Sequence, residues 1–573
     1  MFEKLKKLMR NFSIEEMKSF LGNDIVDSLF EWTDSKELTF TKHKLVEMIM
    51  TVHQSNILKS NNFRELVAAN FTHAEILSFR QLLSIKYKNS EDLKAIVKEV
   101  SAQPWKRGKI SSLFLSLIEL DESVFDVEKM DSISKTTLSA HEKFYELLDY
   151  QYIIRQRVLN ELASDNPLNR MLIQMPTGTG KTKTATHIIS HHYCFNLEKK
   201  GLVIWLAHTT ELLQQAFDTF VNVWKHIGKK DINLYKLWGQ YSIEDCHELE
   251  GVMICGIQKL QSIKERNPEL HEKLVRSCRL IVFDEAHKAA ACETRKLVDG
   301  FMIKKEGMHD RALIGLTATP GRSTQESFDN DLLANMFSGK LITIDTKVIN
   351  QVSLSPIQAL NMAVEHDIIK YLQKRRVLSK VIKEELEYEE HLTEMEIKSI
   401  KVQTTSHGYD DFSEKVLETI GKKKSRNLAI LNKLKFLHQE KVPTIVFACS
   451  VKHAQLLSSF LSIANIPNAI VIGNMSPQDR INAIRSFKDE NNPIKILINF
   501  EVLTTGFDST NIRCVFITRP TQSVVLYSQM LGRGLRGPQM GGNENCLLID
   551  LKDNLEKYNE NLAFKHFNNY WNT

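Results

Sequence analysis

The sequence of 573 residues lacks long hydrophobic runs. No stretch reaches the eighteen or so consecutive apolar residues that a transmembrane helix needs. Residues 1–12 alternate lysine and arginine with leucine and methionine, unlike the uninterrupted apolar region of a secretory signal peptide. We therefore predict a cytoplasmic protein with no membrane partner.

Closely spaced cysteine pairs are also absent. None of the eight cysteines belongs to a Cys-x-x-Cys pair, the spacing that zinc and redox sites commonly use. We interpret the cysteines as reduced packing residues. They are Cys194, Cys246, Cys255, Cys278, Cys292, Cys449, Cys514 and Cys546.

A strong net charge is missing as well. The 75 lysines and arginines and 70 acidic residues leave a formal net charge of +5. This net charge is too small to argue for a nucleic-acid partner, because nucleic-acid binding depends more on a local basic groove than on the total charge. With 42% hydrophobic residues, a chain of this length can form three or four domains. Partners must therefore be inferred from motifs.

Hydrophobic periodicity divides the chain into four regions. Residues 1–142 have helical periodicity and begin with a Ser-x-x-Glu capping box, which predicts an all-helical N-terminal domain. Residues 143–341 and 426–573 contain short continuous apolar runs between helical segments, the pattern of strands buried on both faces of a parallel sheet. Residues 342–425 are rich in charge and have helical patterning, which predicts a helical connector. The predicted fold class is α/β, with two parallel-sheet lobes.

The continuous apolar runs locate the predicted strands of both lobes. A loop that follows such a strand opens at the carboxyl edge of the sheet, where α/β folds bind ligands. The runs are 171–175, 202–207, 280–283 and 312–316 in the first lobe, and 444–448, 469–472, 494–498, 514–517 and 546–549 in the second.

A glycine-containing loop after the first apolar run has the composition of a phosphate cradle. Its glycines allow the backbone to turn tightly and to point N–H groups at phosphate oxygens, aided by the N-terminus of the next helix. Lys181 is placed to neutralise the β- and γ-phosphates, and Thr182 to present its hydroxyl to Mg²⁺. Met175 stands where the strict Gly-x-x-x-x-Gly-Lys-Ser/Thr pattern has glycine. The residues predicted to bind the nucleotide are Pro176, Thr177, Gly178, Thr179, Gly180, Lys181 and Thr182.

Two adjacent carboxylates follow the apolar run 280–283. Asp284 is placed to hold the Mg²⁺ shell, and Glu285 to orient the attacking water and accept its proton. The alternative is a helix start that uses acidic residues as caps. Because the phosphate loop precedes them, we predict that both are catalytic and that Asp284 shares the metal with Thr182.

Gln529, Arg533 and Arg536 recur at offsets of four and three, the spacing that places side chains on one face of a helix. Surface salt bridges would explain the same spacing. Gly532 and Gly534, however, would each weaken an ordinary helix by roughly 1 kcal/mol, which favours a close approach of backbone or ligand. If the second lobe closes on the first, the two arginines can stabilise charge on the transferring phosphate. We therefore predict that Gln529, Arg533 and Arg536 are catalytic.

In this order, the motifs resemble those of superfamily 2 helicases and translocases of the DEAD/DEAH type, over residues 147–553. The resemblance implies two RecA-like lobes that use ATP and Mg²⁺. Gln151 looks like the glutamine that reads adenine, and residues 503–508 resemble motif V. From motif V the resemblance adds Gly506 and Asp508 to the nucleotide-binding residues.

Other segments resemble the strand-binding half of such motors. Their loop hydroxyls and backbone N–H groups suit phosphate contacts that hold a nucleic acid without reading its sequence. Residues 519–529 and 537–550 look more like RadD-type repair helicases and the motor portion of type I restriction enzymes than like RNA-remodelling DEAD-box proteins, which implies DNA as the partner. The segments are 207–212, 256–259 and 445–450, with 317–320 resembling the motif that links hydrolysis to strand movement.

The resemblance implies an ATP-dependent helicase or translocase acting on single- or double-stranded DNA, in DNA repair or anti-phage defence. Two alternatives remain open: a nucleotide-controlled nucleic-acid sensor or scaffold that recruits an effector, and an RNA helicase. Residues 1–142 contain no convincing Asp…Glu-x-Lys nuclease cluster. We therefore expect an effector or nuclease, where one acts, to be a separate protein bound through the N-terminal domain.

Overall fold

The structure, a computed structural model, comprises a helical N-terminal domain and two sheet-containing lobes. It describes the chain except residues 1, 33–40, 84–92, 126–134, 139–145, 165–168, 198–199, 229–230, 244–248, 290, 304–309, 322–327, 346–366, 389–401, 405–409, 505, 508, 522 and 552–573. Within the described ranges, no helix combines the length and the apolar character needed to cross a membrane.

The N-terminal domain is built from short helices with apolar faces. These faces share one core, in which Leu45, Ile49 and Phe63 are fully buried. Ser13 and Glu16 form the predicted capping box: the serine hydroxyl accepts from Glu16 N at 3.1 Å, and the glutamate accepts from Ser13 N at 2.7 Å. The helices are α1 (Glu3–Met9), α2 (Ile14–Leu21), α3 (Asn23–Trp32), α4 (Lys42–His53), α5 (Asn61–Ala69), α6 (His73–Ser78), α7 (Leu93–Ala102) and α8 (Lys109–Leu117).

The first lobe is built on a mostly parallel sheet. Its described strands are β1 (Lys135–Leu138), β2 (Arg170–Gln174), β3 (Leu202–Ala207), β4 (Ile232–Leu237), β5 (Gly251–Gly256), β6 (Cys278–Asp284), β7 (Ala312–Thr317) and β8 (Leu341–Thr343). They lie in the order β1-β4-β5-β3-β6-β7-β2-β8, and only the β1–β4 pair among them is antiparallel. β1 precedes residue 143, where the sequence places the start of this lobe. β3 and β5 are buried at every position, which is the reason for their continuous apolar sequences.

Helices cover both faces of this sheet. One apolar cluster takes side chains from α9, α10 and α11, and a separate cluster takes them from the later helices of the lobe. The described helices are α9 (Asp149–Leu162), α10 (Lys181–His191), α11 (Thr210–Ile227), α12 (Ile257–Arg266), α13 (Pro268–Ser277), α14 (Cys292–Met302) and α15 (Phe328–Met336).

The second lobe follows the predicted connector. The described elements of the connector are α16 (Ile368–Lys374), β9 (Lys380–Leu386), β10 (Val402–Thr404), β11 (Asp410–Phe412) and α17 (Glu414–Gly421). Those of the lobe are α18 (Lys424–Gln439), β12 (Thr444–Phe447), α19 (Val451–Ile463), β13 (Asn468–Val471), α20 (Pro477–Lys488), β14 (Ile496–Asn499), β15 (Cys514–Ile517), α21 (Val524–Leu531) and β16 (Asn545–Leu551). Its described strands form a parallel sheet in the order β13-β14-β12-β15-β16-β9. The two sheets confirm the predicted α/β fold class.

The position of β9 corrects the prediction that the connector is helical throughout. β9 pairs in parallel with β16, from Lys380 opposite Asn545 to Leu386 opposite Leu551. Because β9 is an edge strand of mixed charged and apolar residues, it lacks the continuous apolar run that identifies buried strands. β10 and β11 form a separate antiparallel pair in the same stretch.

The N-terminal domain packs against the second lobe. α4 lies along α19, and Leu456 and Phe460 of α19 belong to the core of the N-terminal helices. Ser55 donates from its backbone N and from its hydroxyl to Asp479 Oδ2, at 3.1 and 2.5 Å. Asp479 is buried in the first turn of α20, where the helix dipole favours a carboxylate. We therefore expect the N-terminal domain to move with the second lobe.

The cysteines of the described residues are all free. Most are buried among apolar side chains, in agreement with the interpretation as packing residues. That interpretation was wrong for Cys292, which is exposed at the start of α14. Cys246 lies outside the described residues.

Candidate nucleotide site between the lobes

The predicted phosphate loop connects β2 to α10. Gly178 and Gly180 have φ angles of 85° and 81°, in the left-handed region that glycine adopts without a Cβ penalty. Gly180 is the N-cap of α10, so the N–H groups of the first helical turn lie at this loop. Thr179 closes the turn by donating its hydroxyl to Pro176 O at 2.7 Å. A loop of this kind presents backbone donors to a phosphate.

Gln151, the residue predicted to read adenine, lies against the phosphate loop. Its Nε2 donates to Thr179 O at 2.9 Å, and its Oε1 accepts from Leu148 N at 3.0 Å. Tyr150 donates its hydroxyl to the same Thr179 carbonyl at 2.8 Å. The structure thus places Gln151 as a support of the loop, and its contact with adenine stays a prediction.

Asp284 and Glu285 follow β6 at the carboxyl edge of the sheet. Asp284 is buried, and its Oδ1 accepts from Glu285 N at 3.0 Å. Burial raises the pKa of Asp284, and the neighbouring Glu285 raises it further. Glu285 has a φ of 51°, a left-handed conformation that is costly for a non-glycine residue and that clusters at functional sites. Two adjacent carboxylates are therefore held in a partly desolvated site.

Lys181 interacts electrostatically with both carboxylates. Burial lowers the pKa of Lys181. The charges of Glu285 and Asp284 oppose this shift, whereas those of Arg533 and Arg536 add to it. Because three basic side chains face two acidic ones, the site has an excess of positive charge, which suits a polyphosphate. Among the described residues, no group of three or more His, Cys, Asp or Glu side chains is placed to hold a metal ion by itself.

His287 connects the two lobes. Its Nδ1 lies 3.1 Å from Thr317 Oγ1 and 3.3 Å from Glu285 Oε2, both in the first lobe. Its Nε2 lies 3.4 Å from Gln529 Nε2, on α21 of the second lobe. With the amide nitrogen donating, Nε2 is the acceptor and Nδ1 carries the imidazole hydrogen. Because Thr317 Oγ1 also donates to Thr319 O at 2.9 Å, polar contacts extend from Thr319 to Gln529.

The helix that carries Gln529 ends earlier than the sequence predicts. α21 ends at Leu531 and Gly532 is its C-cap, so Arg533 and Arg536 lie beyond the helix. The prediction that they share a helix face with Gln529 was wrong. The glycines of this segment stop the helix because they disfavour its continuation.

These glycines confirm the predicted close approach. A Cβ atom on Gly532 would lie 2.5 Å from Thr177 Cβ of the phosphate loop. One on Gly534 would clash with side chains of the second-lobe sheet. The Cγ atom of Arg536 lies 3.5 Å from the Cβ position of Gly178. Glycine at position 532 therefore allows the second lobe to reach the phosphate loop.

Arg533 is held by two backbone carbonyls of the segment 503–508. Its Nη1 donates to Phe507 O at 2.5 Å, and its Nη2 donates to Thr504 O at 2.7 Å. Burial lowers the pKa of Arg533 to about 10, opposed by the charge of Glu285. Burial also lowers the pKa of Arg536 to about 10. Both guanidinium groups therefore remain positively charged at neutral pH.

Gly506 lies at a different contact between the lobes. Its φ is 70°, and a Cβ atom there would lie 2.9 Å from Glu211 Cβ at the start of α11. The structure thus places Gly506 against α11, and its predicted role in nucleotide binding stays a prediction. Asp508, the other predicted residue of this segment, lies outside the described residues.

A cleft of 990 Å³ between the lobes borders the same segment. Thr210 and Glu211 of the first lobe line it, together with Gly506 and Phe507 of the second. Across this boundary Arg480 Nη1 donates to Glu211 Oε1 at 2.7 Å, an ion pair between the lobes. One predicted strand-binding segment, 207–212, therefore meets the segment 503–508 at this cleft.

Two domain families match the sequence on either side of the connector. Residues 144–322, which contain the phosphate loop and both carboxylates, match the type III restriction enzyme res subunit. Residues 426–537, which contain Gln529, Arg533 and Arg536, match the helicase conserved C-terminal domain. The chain belongs to helicase superfamily 2. This membership confirms the resemblance that the motifs indicate.

The sequence identity between this superfamily 2 chain and the relatives described below is 26% or less. It is 26% identical over 414 residues to a protein of Saccharomyces cerevisiae named as the ATP-dependent helicase IRC3, covering 70% of this chain and 51% of that protein. It is 24% identical over 411 residues to the type I restriction enzyme EcoAI endonuclease subunit of Escherichia coli, covering 69% and 45%. The solved structure of the DUF1998 helicase MrfA bound to DNA matches 73% of this chain and 53% of that one, at 15% identity and a TM-score of 0.46. The chain thus spans about half the length of these curated relatives.

Some contacts of this superfamily 2 site have no signal in the local sequence because the partners lie in the other lobe. His287 belongs to the Asp-Glu-Ala-His string, and that position is a signal that could have identified it. Glu211 and Arg480 are separated by more than two hundred residues, and no spacing in the sequence indicates their ion pair. By contrast, the structure brings together the predicted Lys181 and both carboxylates.

We predict that Gly180→Ala weakens nucleotide binding more than Gly178→Ala does. Both substitutions place a side chain in a left-handed conformation, which costs about 1–2 kcal/mol. At Gly180 the added Cβ would also lie 2.5 Å from Gln151 Nε2. Titration calorimetry with a non-hydrolysable ATP analogue should therefore give a Kd at least about tenfold higher for Gly180→Ala, and a smaller increase for Gly178→Ala. Wild-type affinity in both variants would contradict nucleotide binding by this loop.

Proposed function

We propose that this chain is a motor that hydrolyses ATP, with Mg²⁺, between its two lobes and acts on DNA as a helicase or translocase. The observation that carries the proposal is the convergence of groups from both lobes. Lys181 and Glu285 of the first lobe interact electrostatically with Arg533 of the second, and the Cγ atom of Arg536 lies 3.5 Å from the Cβ position of Gly178 in the phosphate loop. Such a site is complete only when the lobes are closed.

Each residue has a role that its environment supports. Lys181 and the N–H groups of the loop would bind the β- and γ-phosphates, and Asp284 with Thr182 would hold Mg²⁺, which usually takes one or two protein ligands in addition to phosphate oxygens and water. Glu285 would orient water and accept its proton, with its carboxylate fixed by His287 at 3.3 Å. Arg533 and Arg536 would stabilise charge that develops on the transferring phosphate.

The segment 503–508 connects the proposed ATP site to the proposed nucleic-acid site. The carbonyls of Thr504 and Phe507 hold Arg533, while Gly506 and Phe507 line the cleft between the lobes. A nucleic acid in this cleft would contact the same segment that positions Arg533. ATP turnover would therefore respond to strand binding.

DNA is the proposed substrate because a restriction endonuclease subunit is among the relatives and a restriction enzyme family matches the first lobe. RNA remains the comparison that the experiment must include, since phosphate contacts alone do not distinguish the two. We propose a role in DNA repair or in defence against foreign DNA, and the similarity to restriction enzymes supports defence.

A second candidate is a nucleotide-controlled sensor that recruits an effector. The docking of the N-terminal domain on α19 favours it, because closure of the lobes would carry that domain toward or away from a partner. Unlike a motor, a sensor needs no processive movement.

The experiment combines ATP hydrolysis with displacement assays on single-stranded DNA, duplex DNA and RNA. A DNA motor should hydrolyse ATP faster with DNA than with RNA, and should displace a strand or a triplex-forming oligonucleotide in an ATP-dependent reaction. DNA-stimulated hydrolysis without displacement on any substrate would favour the sensor. Stimulation by RNA alone would replace DNA by RNA in the proposal.

A further inference from the structure

A buried ion cluster connects the connector to the second lobe. Asp411, in β11, is fully buried, and its Oδ2 accepts from Arg519 Nη2 at 3.0 Å. Arg519, just after β15, is 3% exposed, and its Nη1 donates to Glu501 Oε1 at 2.6 Å. The guanidinium also lies 5.3 Å from the ring centre of Phe500. Arg519 is therefore fixed by two carboxylates from different elements.

Glu501 begins the turn that precedes the loop around Arg533. Its φ of 60° is in the left-handed region, which is unfavourable for a glutamate. The Glu501 carbonyl accepts from Thr504 Oγ1 at 2.6 Å, which ties the turn to Thr504. Because the surrounding contacts must hold such a conformation in place, the ion pair with Arg519 contributes to the shape of the turn.

Thr504 in turn supplies one of the two carbonyls that hold Arg533. A continuous series of contacts therefore leads from Asp411 through Arg519, Glu501 and Thr504 to Arg533. Every link is a hydrogen bond of 3.0 Å or less. A shift of the β10–β11 pair would be transmitted to the guanidinium of Arg533, whose charge interacts with that of Glu285.

We propose that Asp411 is a positioning residue for Arg533. The β10–β11 pair of the connector sets the turn 501–504 through Arg519 and thereby holds Arg533 in the geometry that hydrolysis needs. Asp411 touches neither nucleotide nor metal in this scheme. The proposal rests on the ATPase proposed above and assigns to the connector a direct influence on the rate of that reaction.

The test uses Asp411→Asn in the full chain. The asparagine keeps the shape and one acceptor but loses the charge that fixes Arg519. We expect kcat for ATP, at saturating DNA, to fall about 10- to 100-fold, because small misplacements of catalytic groups have effects of that size. The KM for ATP and the Kd for DNA should change less than about threefold, since the phosphate loop belongs to the other lobe. Unchanged kcat would overturn the proposal.

A second variant tests whether a folding defect could explain a loss of kcat in Asp411→Asn. Glu501→Gln removes the other charge at Arg519, at a position where the side chain is 23% exposed and the cost to stability is smaller. It should reproduce the loss of kcat at an unchanged melting temperature. Glu384→Gln is the matched control, because Glu384 joins β9 of the connector to Lys433 of α18 without contacting Arg519. Its kcat should equal that of the wild type.

A double-mutant cycle separates positioning from a general structural role. If Asp411 acts through Arg533, Asp411→Asn should cause no further loss of kcat in an Arg533→Ala background, measured by single-turnover hydrolysis. Losses that multiply would overturn the proposal. Failure of the proposed function is distinguishable, because the wild-type chain would then show no DNA-stimulated hydrolysis at all.

Discussion

Replacing Lys181 by alanine should lower ATP turnover by at least about 10²- to 10³-fold, the loss typical of removing one preorganised charge from a transition state. The Lys181 ammonium group interacts electrostatically with Asp284 and Glu285. Without it, the phosphates would meet two carboxylates and lose the positive charge that Lys181 supplies. Steady-state phosphate release measures the effect, and the melting temperature checks the fold.

Lys183 supplies the matched control for this prediction. It lies on the same helix, two residues further along, and its Nζ donates to the backbone carbonyl of Glu146. Lys183→Ala should therefore retain wild-type turnover. A Lys181→Ala variant with substantial activity would exclude the loop as the catalytic phosphate site.

Replacing Arg533 by alanine should lower kcat by about 10³-fold while changing the affinity for ATP far less. An arginine that faces the transferring phosphate acts mainly in the transition state, and its loss has effects of this size. Arg533 comes from the second lobe, whereas the loop that binds the phosphates belongs to the first. The measurement pairs kcat with the Kd of a non-hydrolysable ATP analogue.

Arg533→Lys tests whether charge alone is sufficient. Lysine keeps the charge but cannot maintain both bonds to Phe507 O and Thr504 O with the planar fork of a guanidinium. We expect most of the loss seen with alanine. Arg485→Ala, an exposed change on α20, should leave kcat unchanged. Equal kcat in wild type and Arg533→Ala would remove the second lobe from the chemistry.

The sequence predicts most strands in which burial produces a continuous apolar run. β3 and β15 begin and end at the predicted residues, because strands with covered faces need apolar side chains throughout. The prediction missed β1, β4, β5 and β8 of the first sheet and β9 of the second, and β5 was missed although it is buried at every position. β4 mixes polar and apolar positions, and β9 is a charged edge strand, so neither has a continuous apolar run.

The candidate site could likewise be predicted only where its residues lie close together in the sequence. The phosphate loop and the pair Asp284 and Glu285 are local in sequence, so their chemistry can be inferred from neighbouring residues. The end of α21 at Leu531 depends on how two glycines act together, and the periodicity of the segment predicted a longer helix. Contacts between lobes, such as His287 with Gln529, depend on closure and have no local signal.

In the proposed motor, strand binding and ATP hydrolysis use one closed arrangement of the two lobes. The steady-state rate of ATP hydrolysis by the wild-type chain, with Mg²⁺, in the absence of nucleic acid and at saturating DNA, tests this arrangement. We predict that DNA raises kcat at least about tenfold, because the segment 503–508 borders the cleft and also holds Arg533. Equal rates with and without any nucleic acid would contradict it.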